Sequence, residues 1–403
     1  MQGFDVDAIR KDFPILSKPV NGKMLAYLDN AATSQKPLAV IDGIKYFYEN
    51  LNANPMRSIH SLAEKATVAY TEAREKIAKF INASPDEIVF VRNSTEAINL
   101  VSMSLEFNRG DRIATTYLEH HSNILPWMRL KDAGVDVDIV DVDENFDLDL
   151  EYYKELKENT KLVTVSHESN VSGTINDVKI ISRLAHEAGA LAFVDAAQSV
   201  PHMKVDVKNL GADFLCFSGH KMLGPLGIGV LYISRDVQYG MMPFLLGGEM
   251  IRSVKLDKVE YQDVPAVFEA GTQNVEGAYG LGLAVDYLNQ IGMQNIEAYE
   301  KSLTNHLYKA AEEVYGLSVY SGRSRNRGTI FSFNLKSLHP HDVAYLLDKE
   351  GIAIRSGFHC AQPFVEDKLH VEGTARASLY FYNTKSEIDR FIKSLTDINT
   401  TYG

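Results

Sequence analysis

FLCFSGHKMLGPLG, residues 214–227, decides how the chain is read. Four apolar residues, Phe214-Leu215-Cys216-Phe217, have the length and composition of a buried strand. Directly behind them stand Ser218, His220 and Lys221 among three glycines. A lysine at a surface turn is an ordinary solvated charge. A lysine at the end of a buried strand points into the crevice where open α/β sheets bind their ligands.

The flanking sequence favours the second reading. Apolar runs at 88–91, 112–116, 135–140, 162–165, 191–194, 214–217 and 229–233 alternate with helical patterns, as in a parallel or mostly parallel sheet covered on both faces. Predicted helices start at 95 and cover 124–133 and 180–189, and 60–81 places Leu62, Ala66, Ala69, Ala73, Ile77 and Phe80 on one stripe. From about Ala278 the pattern changes: helices at 277–292 and 295–315 precede strands at 317–320 and 329–334. The expected division is an N-terminal segment 1–25 packed on the small domain, a large domain 26–285 and a smaller α+β domain 286–403. A short N-terminal helix, 6–13, and a projecting hairpin at 250–265 complete the expectation.

Composition narrows the function. A chain of 403 residues, 45% hydrophobic and 23% charged, is long enough for two or three domains at roughly 150 residues each. The net charge of −12 opposes a polyanionic partner, so no nucleic acid is expected. No apolar run approaches the roughly 18 residues of a membrane span, and the first residues mix charges with apolar groups, which places the protein in the cytoplasm. Cys216 and Cys360 read as free thiols, the first a core residue. Metal-ligand spacing is missing, and the adjacent His120-His121 pair is ill suited to chelate one ion.

Polar clusters follow five of the strands: Asn93-Ser94-Thr95-Glu96, Glu119-His120-His121, His167 with Ser169 and Asn170, Asp195 with Gln198, and Ser218-Gly219-His220-Lys221. A desolvated lysine loses its proton and becomes a nucleophile toward carbonyls. Pyridoxal phosphate is the carbonyl cofactor whose ring nitrogen takes an aspartate partner. Asp195 and Lys221, on consecutive predicted strand ends, suit that pair. Thr95 at a helix N-terminus, with Ser218 and His220, supplies donors for a phosphate.

These residues sit in a wider set: DNAATSQKP (29–37), NSTEAINLV (93–101), LEHHSNILPW (118–127), SNVSGTI (169–175), VDAAQSVPH (194–202), GGEMI (247–251), FEAGTQN (268–274) and RSGFHCAQP (355–363). With SGHKMLGPLGIGVLY they span nearly the whole chain in order. The chain thereby resembles the group II, SUF-type cysteine desulfurases, class V aminotransferase relatives among the fold-type I pyridoxal phosphate enzymes. The resemblance implies an α/β fold whose large domain has a mostly parallel seven-stranded sheet. It implies conversion of L-cysteine to L-alanine, with sulfur held on Cys360 as a persulfide for iron–sulfur cluster assembly.

It also implies roles. Lys221 carries the Schiff base to pyridoxal 5'-phosphate, Asp195 faces the ring nitrogen, Gln198 the phenolic oxygen, and His120 stacks on the ring. Thr95, Ser218 and His220 hold the phosphate, with Glu96 and Asn170 among the cofactor contacts. Thr272 reaches the phosphate from the other subunit of a homodimer, and hairpin 250–265 projects toward that partner. Arg376 grips the substrate carboxylate, with Arg355, His60 and Asn170 as substrate neighbours. His359 or Arg355 favours ionisation of the Cys360 thiol, and a sulfur-acceptor protein or SUF scaffold takes the sulfur. Two positions depart from the family: Phe358 stands where a histidine is usual, and Ser58 where glycine is usual. A selenocysteine lyase, or a related class V lyase or aminotransferase with no need of Cys360, is the alternative.

Overall fold

The computed structural model describes residues 4–56, 58–324 and 326–402. Its centre is a seven-stranded sheet of β1 (Ile88–Val91), β2 (Arg112–Thr116), β3 (Asp136–Val140), β4 (Thr160–Ser166), β5 (Leu191–Asp195), β6 (Phe214–Ser218) and β7 (Gly229–Ile233), in the order β1-β7-β6-β5-β4-β2-β3. Strands β1, β6 and β7 are buried at every residue because helices cover both faces. β2 through β6 pair in parallel, while β7 runs antiparallel between β1 and β6. The connection 219–228, which holds Lys221, is too short for the crossover that a parallel return needs.

One face of the sheet packs on a layer of helices that includes α1 (Leu38–Asn50), α2 (Ser61–Phe80) and, further along the chain, Val275–Ile291. On α2 the buried stripe runs through Ala63, Ala66, Ala69, Tyr70, Ala73, Arg74, Ile77 and Ala78. Leu62, expected on that stripe, is 38% exposed, and Phe80 is only partly buried at the helix end. Small side chains let the backbones approach: a Cβ on Gly282 would lie 3.2 Å from the Cα of Ala73. Helix α1, absent from the sequence reading, buries Val40 and Phe47 yet leaves Leu38, Ile41, Tyr46 and Tyr48 exposed, so its apolar residues mark no single face.

A second, antiparallel sheet follows from β8 (Leu317–Val319), β9 (Ile330–Leu335), β10 (Arg355–Gly357) and β11 (Thr374–Ser378), ordered β8-β9-β11-β10. It has its own apolar core around Leu303, Phe331, Phe333, Leu347 and Phe391. The N-terminal segment ties this sheet to the large one. Arg10 bonds the Tyr382 carbonyl at 2.5 Å and the Glu387 carboxylate at 2.8 Å, Phe13 packs on Phe381 and Tyr382, and the Leu28 N–H donates to Ala353. The helix at its start is shorter than expected, Val6–Arg10, and the expected hairpin is present as Ile251–Lys255 against Lys258–Tyr261.

Candidate active site

Between the carboxyl ends of the large sheet and the second sheet lies a cleft of about 180 Å³. Lys221 lines it, on the turn after β6, with Asp195 at the end of β5. Burial pulls the Lys221 amine down to about 8, against the opposing attraction of Asp195. The Asp195 carboxyl is pushed up, chiefly by burial, while the Ala197 N–H at 3.0 Å and the charge of Lys221 hold its ionised form.

At the opposite end the cleft opens on the N-terminus of α3 (Ser94–Ser104), capped by Asn93, whose Oδ1 accepts from the Glu96 N–H at 3.0 Å. Ser94 N–H donates to Ser218 Oγ at 3.0 Å, joining the helix start to the end of β6. The strand β7 makes this closeness possible at Gly229, where a Cβ would stand 2.7 Å from the Cα of Asn93. Among the described residues His220 Nδ1 is buried without a hydrogen-bond partner, and burial lowers that imidazole to about 4.

His120 is held by a buried frame. Glu119, fully enclosed, accepts from Thr116 Oγ1 at 2.7 Å, Asn123 Nδ2 at 2.6 Å, and the Ser166 N–H and hydroxyl at 2.8 and 2.6 Å. Burial still raises its carboxyl to about 7. Next along the chain, His120 lines the cleft with Nδ1 turned to Ser122, and burial with the nearby Lys221 drives its imidazole down to about 3. The ring is therefore neutral at physiological pH.

The second sheet forms the other wall. Arg355 on β10 lies directly across from Arg376 on β11, and both line the cleft. Like charges opposed across a strand pair are unfavourable unless an anion sits between them or beside them. Asp29 supplies part of that charge, 3.4 Å from Arg376 Nη2. Arg376, 1% exposed, also donates to the Asn170 carbonyl at 2.9 Å and is lowered to about 10 by burial. Gln198 is fixed through the Ala31 carbonyl at 3.0 Å.

Thus Lys221, Asp195, His120, Thr95, Ser218, His220, Gln198, Asn170, Arg355 and Arg376 share one cleft. Four other expected site residues do not line it. Glu96 turns its carboxylate back to Arg92, with Nε at 3.0 Å. His60 caps α2, accepting from the Ala63 N–H at 3.2 Å, and is exposed. Thr272 lines a separate pocket with Tyr70, Arg74 and Glu269. Cys360 stands beside the wall, its Sγ 3.4 Å from Arg355 Nη2. His359, offered equally with Arg355 as the thiol's neighbour, is instead pinned by Nε2 to the Thr374 carbonyl at 3.0 Å. Ser122, which links Thr95 at 2.7 Å to His120 at 3.0 Å, was not singled out from sequence, nor was Asp29, although both fall inside the quoted motifs.

The donor set fits a flat pyridine ring bearing an aldehyde and a phosphate: an amine of lowered proton affinity, a buried carboxylate, a helix N-terminus with hydroxyls, and an unpartnered imidazole nitrogen. A larger groove of about 1110 Å³ shares Glu168 with this cleft, but Lys221 does not line it.

Comparison with known proteins agrees with this geometry. The Haloferax volcanii protein named "Cysteine desulfurase" is 44% identical over 410 residues, 97% of this chain and 96% of its own. A Synechocystis protein named "Probable cysteine desulfurase" is 50% identical over 395 residues, 96% and 94% of the two chains. The solved apo structure of a cysteine desulfurase from Thermococcus onnurineus NA1 superposes with a TM-score of 0.94 at 40% identity, covering 98% of each chain. The family model described as aminotransferase class-V matches residues 26–391, and the chain belongs to that family.

Proposed function

We propose that the protein is a pyridoxal phosphate-dependent cysteine desulfurase that converts L-cysteine to L-alanine and retains the sulfur on Cys360. The observation that carries this reading is the wall formed by the opposed Arg355 and Arg376, which gives the cleft of Lys221 and Asp195 both a carboxylate grip and a neighbouring thiol. An aminotransferase has no use for that thiol.

When bound, pyridoxal phosphate supplies a carbonyl for the substrate amine and an electron-withdrawing ring that acidifies the bond at Cα. Asp195 would hold the proton of the ring nitrogen, and the neutral His120 would contact the ring. Thr95, Ser218 and His220 would hold the phosphate. The planar Arg376 orients the substrate carboxylate. Lys221, as a neutral amine, would accept the Cα proton and return a proton to the product. The Cys360 thiolate, next to the Arg355 charge, attacks the substrate sulfur. The C–S bond breaks as the S–S bond forms, so L-cysteine and the thiol yield L-alanine and a persulfide with no outside oxidant.

In this reading the enzyme is a cytoplasmic homodimer that supplies a sulfur-acceptor protein or SUF scaffold for iron–sulfur cluster assembly. Exposed Val254, Leu256 and Val259 on the hairpin Ile251–Tyr261 support contact with a second copy, which would bring Thr272 to the partner's phosphate. Mass spectrometry after incubation with L-cysteine tests the reading: one added sulfur on the Cys360 peptide is expected, together with alanine. An unmodified Cys360 overturns it, and alanine formation that survives Cys360→Ala would favour a lyase that does not use the thiol.

A further inference from the structure

Glu119, His120 and His121 are consecutive, yet each faces a different part of the molecule. Glu119 is locked into the sheet, and His120 faces the cleft. His121 turns to the segment that carries Cys360. Its N–H donates to the Cys360 carbonyl at 2.6 Å, and its ring Nε2 accepts from the Gln362 N–H at 2.9 Å. Both bonds hold the chain just after the cysteine, one at its own carbonyl and one two residues on.

That segment needs outside support. His359 and Cys360 both have left-handed backbones, φ 53° and 59°, a conformation that L residues adopt at a cost and seldom in succession. Within the turn one bond closes it, from the Ala361 N–H to the Phe358 carbonyl at 2.9 Å. The second sheet adds Arg355 Nη2 at 3.4 Å from Cys360 Sγ and Thr374 against His359 Nε2, while the large sheet's loops add Asn170 Nδ2 to the His359 carbonyl at 2.7 Å, Phe146 against Phe364, and Lys368 over the Tyr117 ring. Phe358, being apolar, offers the thiol no donor.

We propose that His121 is the positioning residue for Cys360, clamping the thiol-bearing turn to the same loop that carries His120 over the cleft. The inference rests on the desulfurase reading for its kinetic consequence, but not for the clamp itself. Residues 120 and 121 of one loop then face the cofactor cleft and the thiol's turn, so that loop helps set the attack distance. Burial lowers the His121 imidazole, which keeps Nε2 free to accept.

The test uses cofactor-loaded protein carrying His121→Ala or His121→Gln. With the ring gone, kcat for alanine should fall roughly tenfold, as expected for a misplaced reacting group, with KM for cysteine changed by less than about twofold. Alkylation of Cys360 by iodoacetamide, followed on its peptide with buried Cys216 as internal control, should change by about threefold or more. His121→Gln, whose amide oxygen can accept from Gln362, should recover most of both. Unchanged kcat and unchanged alkylation in His121→Ala overturn the clamp, as does a loss confined to KM. Wild-type protein that forms neither alanine nor persulfide overturns the desulfurase reading instead, and the alkylation comparison still judges the clamp.

Discussion

Lys221 is the residue whose environment matters most. A free lysine amine has a pKa of about 10.4, whereas burial brings this one to about 8. Only the neutral amine attacks an aldehyde, so the rate of cofactor attachment to apo-protein should rise about tenfold per pH unit up to about 8 and level off above it. Stopped-flow absorbance checks this; a rise continuing to pH 10 would show an unperturbed amine. Arg376 makes a second residue-scale case. Its planar head donates to Asn170 and Asp29 while facing the cleft, which a lysine cannot reproduce. Arg376→Lys should raise KM for cysteine by roughly tenfold to a hundredfold, the loss of one bidentate charged contact, while the cofactor spectrum stays as in wild type.

At the scale of elements, the site depends on how closely the α3 start can approach β6 and β7. Gly229 has the Asn93 backbone at 2.7 Å and the Phe217 carbonyl at 3.0 Å from where a Cβ would stand. Backbone atoms cannot swing aside as a flexible side chain can. Gly229→Ala should therefore destabilise the protein by about 1–3 kcal/mol and weaken cofactor phosphate binding, read by thermal melting and by cofactor titration. Unchanged values in both would mean that the loop at Asn93 yields without cost. This element also explains a difference from the sequence reading. Glycine at 229 looked like the unremarkable start of a strand, and its close approach depends on residues more than a hundred positions away.

For the molecule as a whole, the cleft exists only while two sheets stay joined, and the N-terminal segment joins them. Phe13 is fully buried, its ring against Tyr287 on one side and Phe381 and Tyr382 on the other. Phe13→Ala should cost about 3–5 kcal/mol of stability, measured as a lowered denaturant midpoint at unchanged m-value. Activity should fall with it even where the large sheet stays folded, because Arg355 and Arg376 come from the second sheet and Cys360 from the turn that follows β10. Retained activity with a lowered midpoint would show that the join is not what sets the cleft.

By itself the sequence determined the strands of the large sheet and the clustering of polar residues at their ends, because apolar runs of buried strands and the residues after them are local features. It also determined the Lys221 and Asp195 pairing, since consecutive parallel strands bring their ends together. Tertiary structure alone decided that β7 returns antiparallel, that Arg355 opposes Arg376, and that Arg355 donates toward the thiol while His359 Nε2 is taken by Thr374. It placed Glu96, His60 and Thr272 outside the single-chain cleft, brought Ser122 to it and set Asp29 behind Arg376. Those outcomes follow from register, loop anchoring and side-chain direction between segments far apart in the chain, which the order of residues along one strand does not record.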